Sequence, residues 1–194
     1  MFQKSEYPKR FCLREIVAEN LSDDSSLWLT TRGFAPSEPK IYETSLVIPL
    51  YCPEGRFLGN QLRDVNDDNV DTKYTLTNNI YDPLVKTDPQ NIKGIQVICE
   101  GSLDCMLLRL NGVNASTTLG LKAYRVKKAF EDLTERVIFI FDNDQPGNHF
   151  AKKYNNRAMR YSTPTQYKDV CDFFQADREG FTSWLDRLKK LTQA

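Results

Sequence analysis

Short runs of apolar residues alternate with helical patterns in the second half of the chain. The two strongest runs, residues 95–99 (IQVIC) and 137–141 (VIFIF), are too short for helices and typical of buried strands. Weaker strand patterns lie at residues 113–118 and 158–162. Helical patterns lie at residues 102–110, 121–134, 145–156, 170–177 and 181–191. This alternation predicts an α/β fold, with a parallel sheet of about four strands flanked by helices.

The first half of the chain has a different pattern, in which strands follow one another without intervening helices. Strand patterns occur at residues 45–51, 56–65 and 73–77, and the sequence PEG at 53–55 favours a turn between the first two. Together they predict an antiparallel β-meander. Upstream, helical patterns lie at residues 14–20 and 23–33, before a loop at 35–39. We therefore expect a small α+β subdomain at residues 1–90 and the α/β domain at 91–194.

Composition narrows the range of partners and sites. The 26 basic side chains equal the 26 acidic ones, which argues against broad coating of nucleic acid but leaves room for a local basic groove. Five widely spaced cysteines without a CxxC pair argue against a disulfide framework or a zinc ribbon, so we expect buried, reduced thiols. The one histidine, His149, excludes sites that need two imidazoles and is expected on a helix surface. With neither a long apolar run nor a secretory signal, we expect a cytoplasmic protein without membrane contact.

Carboxylates follow directly on the two strongest strands. Glu100 comes after the run at 95–99, and Asp142 and Asp144 come after the run at 137–141. Because sites in open α/β sheets lie at the carboxyl ends of strands, neighbouring strands would bring these three side chains together. An Asp-x-Asp pair after a strand is, taken alone, more often a turn or a helix cap. Its coincidence with Glu100 favours a site for Mg²⁺ or Mn²⁺, which prefer oxygen ligands and bridge to phosphates.

These two motifs resemble a known family. EGSLD at 100–104, followed some forty residues later by FDNDQPG at 141–147, is similar to the paired motifs of the Toprim domain, a Rossmann-like fold of primases, topoisomerases and nucleases. The catalytic core of bacterial and phage-type DNA primases is most similar. That branch is indicated by TTLG at 117–120, by YKDVCD at 167–172, and by the upstream segments at 46–64 and 73–77. The resemblance covers roughly residues 27–177.

The resemblance implies roles for individual residues. Glu100, Asp142 and Asp144 would be the catalytic metal ligands, with Glu100 also a candidate for acid–base chemistry. Groups expected to contact template or nucleotide phosphates are Arg63, Lys73 and Lys168. Groups expected to support the site are Gly101, Asp104, Asp169 and Asp172. Four of these residues also have a simpler structural interpretation. Arg63 and Lys73 would lie on a solvated strand face, Asp104 would lie in a first helical turn, and Asp169 would be a helix N-cap.

The function implied is metal-dependent nucleotidyl transfer in DNA replication, with primers made on a single-stranded DNA template from nucleoside triphosphates. Two alternatives stay open: a Toprim-type nuclease, and a nucleic-acid-binding accessory protein with a vestigial site. A topoisomerase is less favoured, because it needs a catalytic tyrosine and no tyrosine here has neighbouring residues that mark it as catalytic. The chain has neither the zinc ribbon of bacterial primases nor a P-loop. We therefore expect a fragment of a larger protein, a protein of a phage or mobile element, or a partner of a replicative helicase in trans.

Overall fold

The computed structural model describes residues 40–42, 45–64, 74–121, 123–131, 136–154 and 158–193. The expected helices at 14–20 and 23–33, the loop at 35–39 and Lys73 lie outside the described residues. Two compact units are present. Of the described residues, those up to 50 together with 57–64 and 74–80 form the first unit, and residues 51–56 and those from 81 onward form the second.

The first unit is built on a four-stranded sheet. Its strands, in spatial order, are β1 (Lys40–Tyr42), β2 (Ser45–Tyr51), β3 (Phe57–Asp64) and β4 (Tyr74–Leu76). The pairs β1–β2 and β3–β4 are antiparallel. Leu46, Ile48 and Leu50 are buried while the residues between them are half-buried, which is the period-two pattern of a strand with one covered face. The predicted meander is confirmed, and β1 is an additional strand that the sequence pattern did not predict.

The second unit contains the predicted parallel sheet. Its strands are β5 (Gln96–Cys99), β6 (Ala115–Thr117), β7 (Val137–Ile140) and β8 (Ala158–Arg160), in the order β6-β5-β7-β8. All three pairings are parallel. Every residue of β7 is buried, because helices cover both faces of a sheet of this kind. Since β5 pairs directly with β7, the loops that follow these two strands leave the sheet side by side.

Five helices complete the second unit. They are α1 (Ser102–Leu110), α2 (Ala123–Glu131), α3 (Gln145–Tyr154), α4 (Val170–Ala176) and α5 (Arg178–Thr192). Each matches a predicted helix, but α5 begins three residues earlier than expected. The reason is a cap: the Asp177 carboxylate accepts a hydrogen bond of 2.9 Å from the Gly180 N–H and so starts the helix at Arg178.

Aromatic rings fill the core between the sheet, α2 and α3. Phe130 stacks on Tyr154 with ring centroids 4.6 Å apart, and it meets Phe139 edge to face. Phe139 and Phe141 are both buried in this core. The cysteines within the described residues are buried thiols outside any disulfide bond, as expected: Cys52, Cys99, Cys105 and Cys171. Among the helices described, none has the length and apolarity that crossing a membrane requires.

Candidate metal centre

The backbone that carries Glu100 is held by the turn after β6. The Glu100 carbonyl accepts hydrogen bonds from the Thr117 hydroxyl at 2.7 Å and from the Gly120 N–H at 2.9 Å. Leu119 has a φ of 55°, a left-handed conformation that costs energy for a residue with a side chain. The Thr117 hydroxyl offsets this cost by accepting the Leu119 N–H at 3.0 Å. The TTLG turn therefore fixes the point at which Glu100 leaves the sheet.

The three residues after β7 and Phe141 take three different directions. The Asp142 carboxylate contacts Lys168, the Asn143 amide contacts the loop before α4, and the Asp144 carboxylate accepts the Gly147 N–H at 2.8 Å. Asp144 thus directly precedes α3 and caps its first turn. A Cβ atom at position 147 would lie 2.2 Å from the Asp142 carbonyl oxygen, so only glycine lets α3 approach this closely.

Three carboxylates converge at this edge of the sheet. One oxygen each from Asp104, Asp142 and Asp169 lies within 4.8 Å of the others, and we call this group the acidic triad. Asp104 is buried in the first turn of α1 and accepts the Cys171 N–H at 3.0 Å. Asp169 is the N-cap of α4 and accepts the Asp172 N–H at 2.7 Å. Asp104 and Asp169, which the resemblance implies only as supports, thus lie as close to Asp142 as metal ligands do.

Glu100 and Asp144 border the acidic triad. Burial, followed by the charges of Asp142 and Asp144, raises the pKa of Glu100 to about 7. Burial, followed by the charge of Asp169, raises the pKa of Asp142 to about 6. For Asp104, burial and the carboxylates of Asp169 and Asp142 raise the pKa well above its usual range. Burial is therefore the main cause of the raised pKa values at this site, and the negative charge of the neighbouring carboxylates adds to it.

Lys168 supplies the neighbouring positive charge. Its Nζ lies 3.6 Å from Asp142 Oδ2, although 63% of the lysine side chain is exposed. Partial burial lowers the pKa of Lys168, but the carboxylates of Asp142, Asp169 and Asp144 outweigh it and raise the pKa overall. One lysine does not neutralise the surrounding carboxylates, so the site retains a net negative charge.

The donor set fits a hard divalent cation. All the converging ligand atoms are carboxylate oxygens, which Mg²⁺ and Mn²⁺ prefer. A bound dication would relieve the repulsion that raises the pKa of Asp142 and Glu100. The Glu100 Oε2 atom is also buried and, in the part of the chain that the structure describes, has no hydrogen-bond partner. Such an atom requires a partner, and a metal ion or its coordinated water would provide one.

The remaining predicted residues lie in different places. Arg63 lies on β3 of the first unit, where its guanidinium donates to the Tyr74 hydroxyl and lies 5.0 Å from the centre of that ring. Asp172 is exposed, and its carboxylate accepts the Lys168 N–H at 2.8 Å. His149 is exposed on α3, as expected. The sequence pattern did not single out Asn143, although its position between two site aspartates was a signal that it lies at the site.

The raised pKa values predict an unusual pH dependence. A carboxyl group whose folded pKa is raised adds stability below its unfolded pKa and loses that contribution as pH rises through the folded value. For Asp142 the loss runs from its ordinary pKa of 3.8 to about 6, and for Glu100 from 4.5 to about 7. We therefore expect the metal-free protein to melt at lower temperature at about pH 8 than at about pH 5.

Added Mg²⁺ should reverse this loss. We expect it to raise the melting temperature by about 3 °C or more at the higher pH, where the ligands are ionised, and by little at the lower pH. Circular dichroism melts in a chelator or in Mg²⁺, with NaCl of equal ionic strength as the control, measure both effects. A melting temperature that rises with pH in the chelator would contradict the proposed crowding of charge.

Sequence comparison matches residues 97–174 to the family described as Toprim-like. The matched segment contains Glu100, Asp144 and the whole acidic triad. The resemblance drawn from the EGSLD and FDNDQPG motifs is therefore confirmed. No protein sequence with a curated description matches the chain.

Solved primase structures have a similar fold. The Aquifex aeolicus primase (zinc-binding and RNA polymerase domains) matches with a TM-score of 0.55 and 20% identity over 76% of this chain and 41% of that one. For the E. coli primase catalytic core the TM-score is 0.53, with 18% identity over 76% of this chain and 53% of that one. For the primase fragment of the bacteriophage T7 primase–helicase protein the TM-score is 0.56, with 18% identity over 82% of this chain and 72% of that one.

These matches establish the fold class. The chain has the fold of primase catalytic cores, with the parallel sheet of the Toprim type preceded by an antiparallel sheet, as predicted. It spans about half, or less, of the two bacterial chains that it matches.

Proposed function

We propose that this chain carries out metal-dependent nucleotidyl transfer of the primase type, synthesising primers on a single-stranded DNA template. The observation that carries the proposal is the convergence of the acidic triad at the carboxyl edge of the parallel sheet, in a fold similar to primase catalytic cores. Carboxylates gathered in this way suit a Mg²⁺ or Mn²⁺ ion that bridges to phosphates. The division into two compact units also supports two parts, which we propose as a primase-type subdomain at residues 1–90 and a Toprim-type domain at 91–194, although residues 51–56 and 81–90 belong to the second compact unit.

The metal ion would be held by Asp142 together with Asp104 and Asp169, with Glu100 and Asp144 completing its surroundings. When bound, it would polarise the reacting phosphoryl group and neutralise developing charge. Glu100, with a pKa of about 7, is suited to accept the proton of the attacking 3′-hydroxyl group near neutral pH. The chain's main contribution is positioning of charged groups, which is what phosphoryl transfer requires.

Basic side chains would bind the phosphates of the substrates. Lys168 is exposed beside Asp142 and would contact the triphosphate of a nucleotide that enters the site. Arg63 and Lys73 would contact phosphates of the template or the nucleotide. The matched T7 structure is the primase fragment of a primase–helicase protein, which supports a replicative helicase in trans as a partner of this chain.

Primer synthesis tests the proposal directly. We expect the protein to convert nucleoside triphosphates into short oligonucleotides on single-stranded DNA in Mg²⁺ or Mn²⁺, and to stop when a chelator is added. Product formation should also fall with rising salt, because phosphate contacts release counterions. Denaturing gels of labelled products, with and without a replicative helicase, provide the measurement.

The same assay separates the alternatives. Cleavage of labelled DNA without triphosphates would indicate a nuclease instead. Metal-independent DNA binding without any product would indicate an accessory protein. Absence of oligonucleotides under both helicase conditions would refute the proposed primase activity.

A further inference from the structure

The Asn143 side chain is the centre of a hydrogen-bond cluster that joins two loops. Its amide nitrogen Nδ2 lies 2.8 Å from the Tyr167 carbonyl oxygen and 2.9 Å from the Thr163 hydroxyl. The carbonyl oxygens of Thr163 and Pro164 lie at 3.3 and 3.2 Å. An amide group has two N–H bonds, so the two nearer oxygens are the main acceptors and the other two share them.

The Asn143 backbone contacts the same loop. Its N–H donates to the Lys168 carbonyl oxygen at 2.7 Å. Residues 161–169 form neither strand nor helix, so their carbonyl groups have no regular ladder of partners. One internal bond, from the Tyr167 N–H to the Pro164 oxygen, shapes the loop itself. The Tyr161 N–H also donates to the Phe139 carbonyl oxygen of β7 at 3.0 Å, so the strand itself holds the start of the loop, whereas Asn143 holds residues 163–168.

Each of the two joined loops carries one carboxylate of the acidic triad. Asp142 directly precedes Asn143, whereas Asp169 directly follows Lys168 at the end of the attached loop. The separation between the Asp142 and Asp169 carboxylates is therefore set where Asn143 binds residues 163–168. One oxygen of each carboxylate lies within 4.8 Å of the other, so the two ionised groups repel each other. The hydrogen bonds of the Asn143 side chain hold the two loops together against that repulsion.

We propose that Asn143 is a positioning residue that determines the affinity of the acidic triad for a divalent cation without contacting the cation. The inference deepens the proposed function and rests on it for the identity of the reaction. The amide is chemically specific for this position, because three of the four oxygens around its Nδ2 atom are carbonyl oxygens, which only accept. A carboxylate of the same shape would place an acceptor against these three oxygens and would release the loop.

Metal-binding measurements on three variants test the inference. Asn143→Ala and Asn143→Asp remove the donors, and Asn114→Ala is the matched control, because Asn114 donates one bond of 3.1 Å to the Gly94 oxygen and precedes β6 at the opposite edge of the sheet. Mn²⁺ binding is followed by electron paramagnetic resonance, and folding by circular dichroism. We expect Mn²⁺ affinity to fall roughly 10-fold to 100-fold in both Asn143 variants and to stay unchanged in Asn114→Ala.

A milder variant covers the case in which the Asn143 variants do not fold. Thr163→Val keeps the shape of a buried side chain but removes the hydroxyl that accepts at 2.9 Å. We expect a smaller loss of Mn²⁺ affinity in the same direction, and no further loss when Thr163→Val is added to a folded Asn143→Ala. In primer synthesis by these variants, saturating Mn²⁺ should bring kcat back toward the parent value, whereas the apparent affinity for Mn²⁺ should stay reduced.

The outcomes separate the two proposals. If the parent protein makes no primer but Asn143→Ala still lowers its Mn²⁺ affinity, the positioning role is supported and only the proposed primase activity is refuted. Folded Asn143 variants that bind Mn²⁺ as tightly as the parent overturn the positioning role alone. Unchanged affinity in Thr163→Val overturns it as well if neither Asn143 variant folds. A parent protein that binds no Mn²⁺ overturns both proposals.

Discussion

Replacement of Asp142 by asparagine should reduce primer synthesis by a factor of about 100 or more. Asp142 is the member of the acidic triad that contacts Lys168, contributes to the raised pKa of Glu100 and stands directly at the end of the central strand β7. The substitution keeps the side-chain shape but removes the charge that attracts a dication. We expect Mn²⁺ affinity to fall with activity, because ion binding and catalysis use the same carboxylate.

The same substitution should raise the stability of the metal-free protein. Burial and neighbouring charge raise the pKa of Asp142 to about 6, so its ionised form is unfavourable in the folded state above that pH. Loss of activity together with a higher melting temperature at pH 8 would distinguish this residue from one that supports the fold. Asp186→Asn, an exposed change on α5, is the matched control and should alter neither property. Activity of Asp142→Asn within about three-fold of the parent would rule out a central role for this carboxylate.

The location of the site was predictable because it depends on the strongest patterns in the sequence. The run at 137–141 is apolar throughout and the run at 95–99 is apolar except for Gln96, and such strands belong at the centre of a parallel sheet. Once these strands are neighbours, Glu100 and Asp142 must leave the sheet at the same edge. The role of Gly147 follows from the sequence for the same reason, since a helix that starts next to the end of a strand requires close approach of the backbone.

The full set of converging carboxylates was not predictable from the same patterns. Asp104 and Asp169 approach Asp142 only because α1 packs against α4 and because Asn143 attaches the loop at 161–169. That loop has no periodicity, and its position follows from tertiary hydrogen bonds. The segment at 77–93 is similar: Lys86 pairs with Tyr51 and Val85 with Thr117 through isolated bridges that no local pattern indicates.

Replacement of Asp88 by asparagine should lower the free energy of unfolding by about 3 kcal/mol, although Asp88 lies outside any regular element. Its carboxylate binds the guanidinium of Arg109, whose side chain is 1% exposed. Arg109 also donates to the carbonyl oxygens of Ala115 at 2.9 Å and Gln90 at 2.7 Å, but no other acidic group within the described residues forms an ion pair with it. Loss of the Asp88 charge would leave a buried cation without its counter-charge, beside the buried amine of Lys86.

The pH dependence of this effect has the opposite sign to that of the acidic triad. Burial alone would raise the pKa of Asp88, but the hydrogen bond and charge of Arg109 lower it below the ordinary value of 3.8. Its contribution is therefore present at neutral pH, and the difference between parent and Asp88→Asn should shrink as pH falls below about 4. Glu131→Gln is the control, because the Glu131–Lys127 pair at 3.5 Å is exposed and should contribute at most about 0.5 kcal/mol. Urea unfolding at neutral and acid pH measures both differences, and equal losses in the two variants would show that the buried arginine does not depend on Asp88.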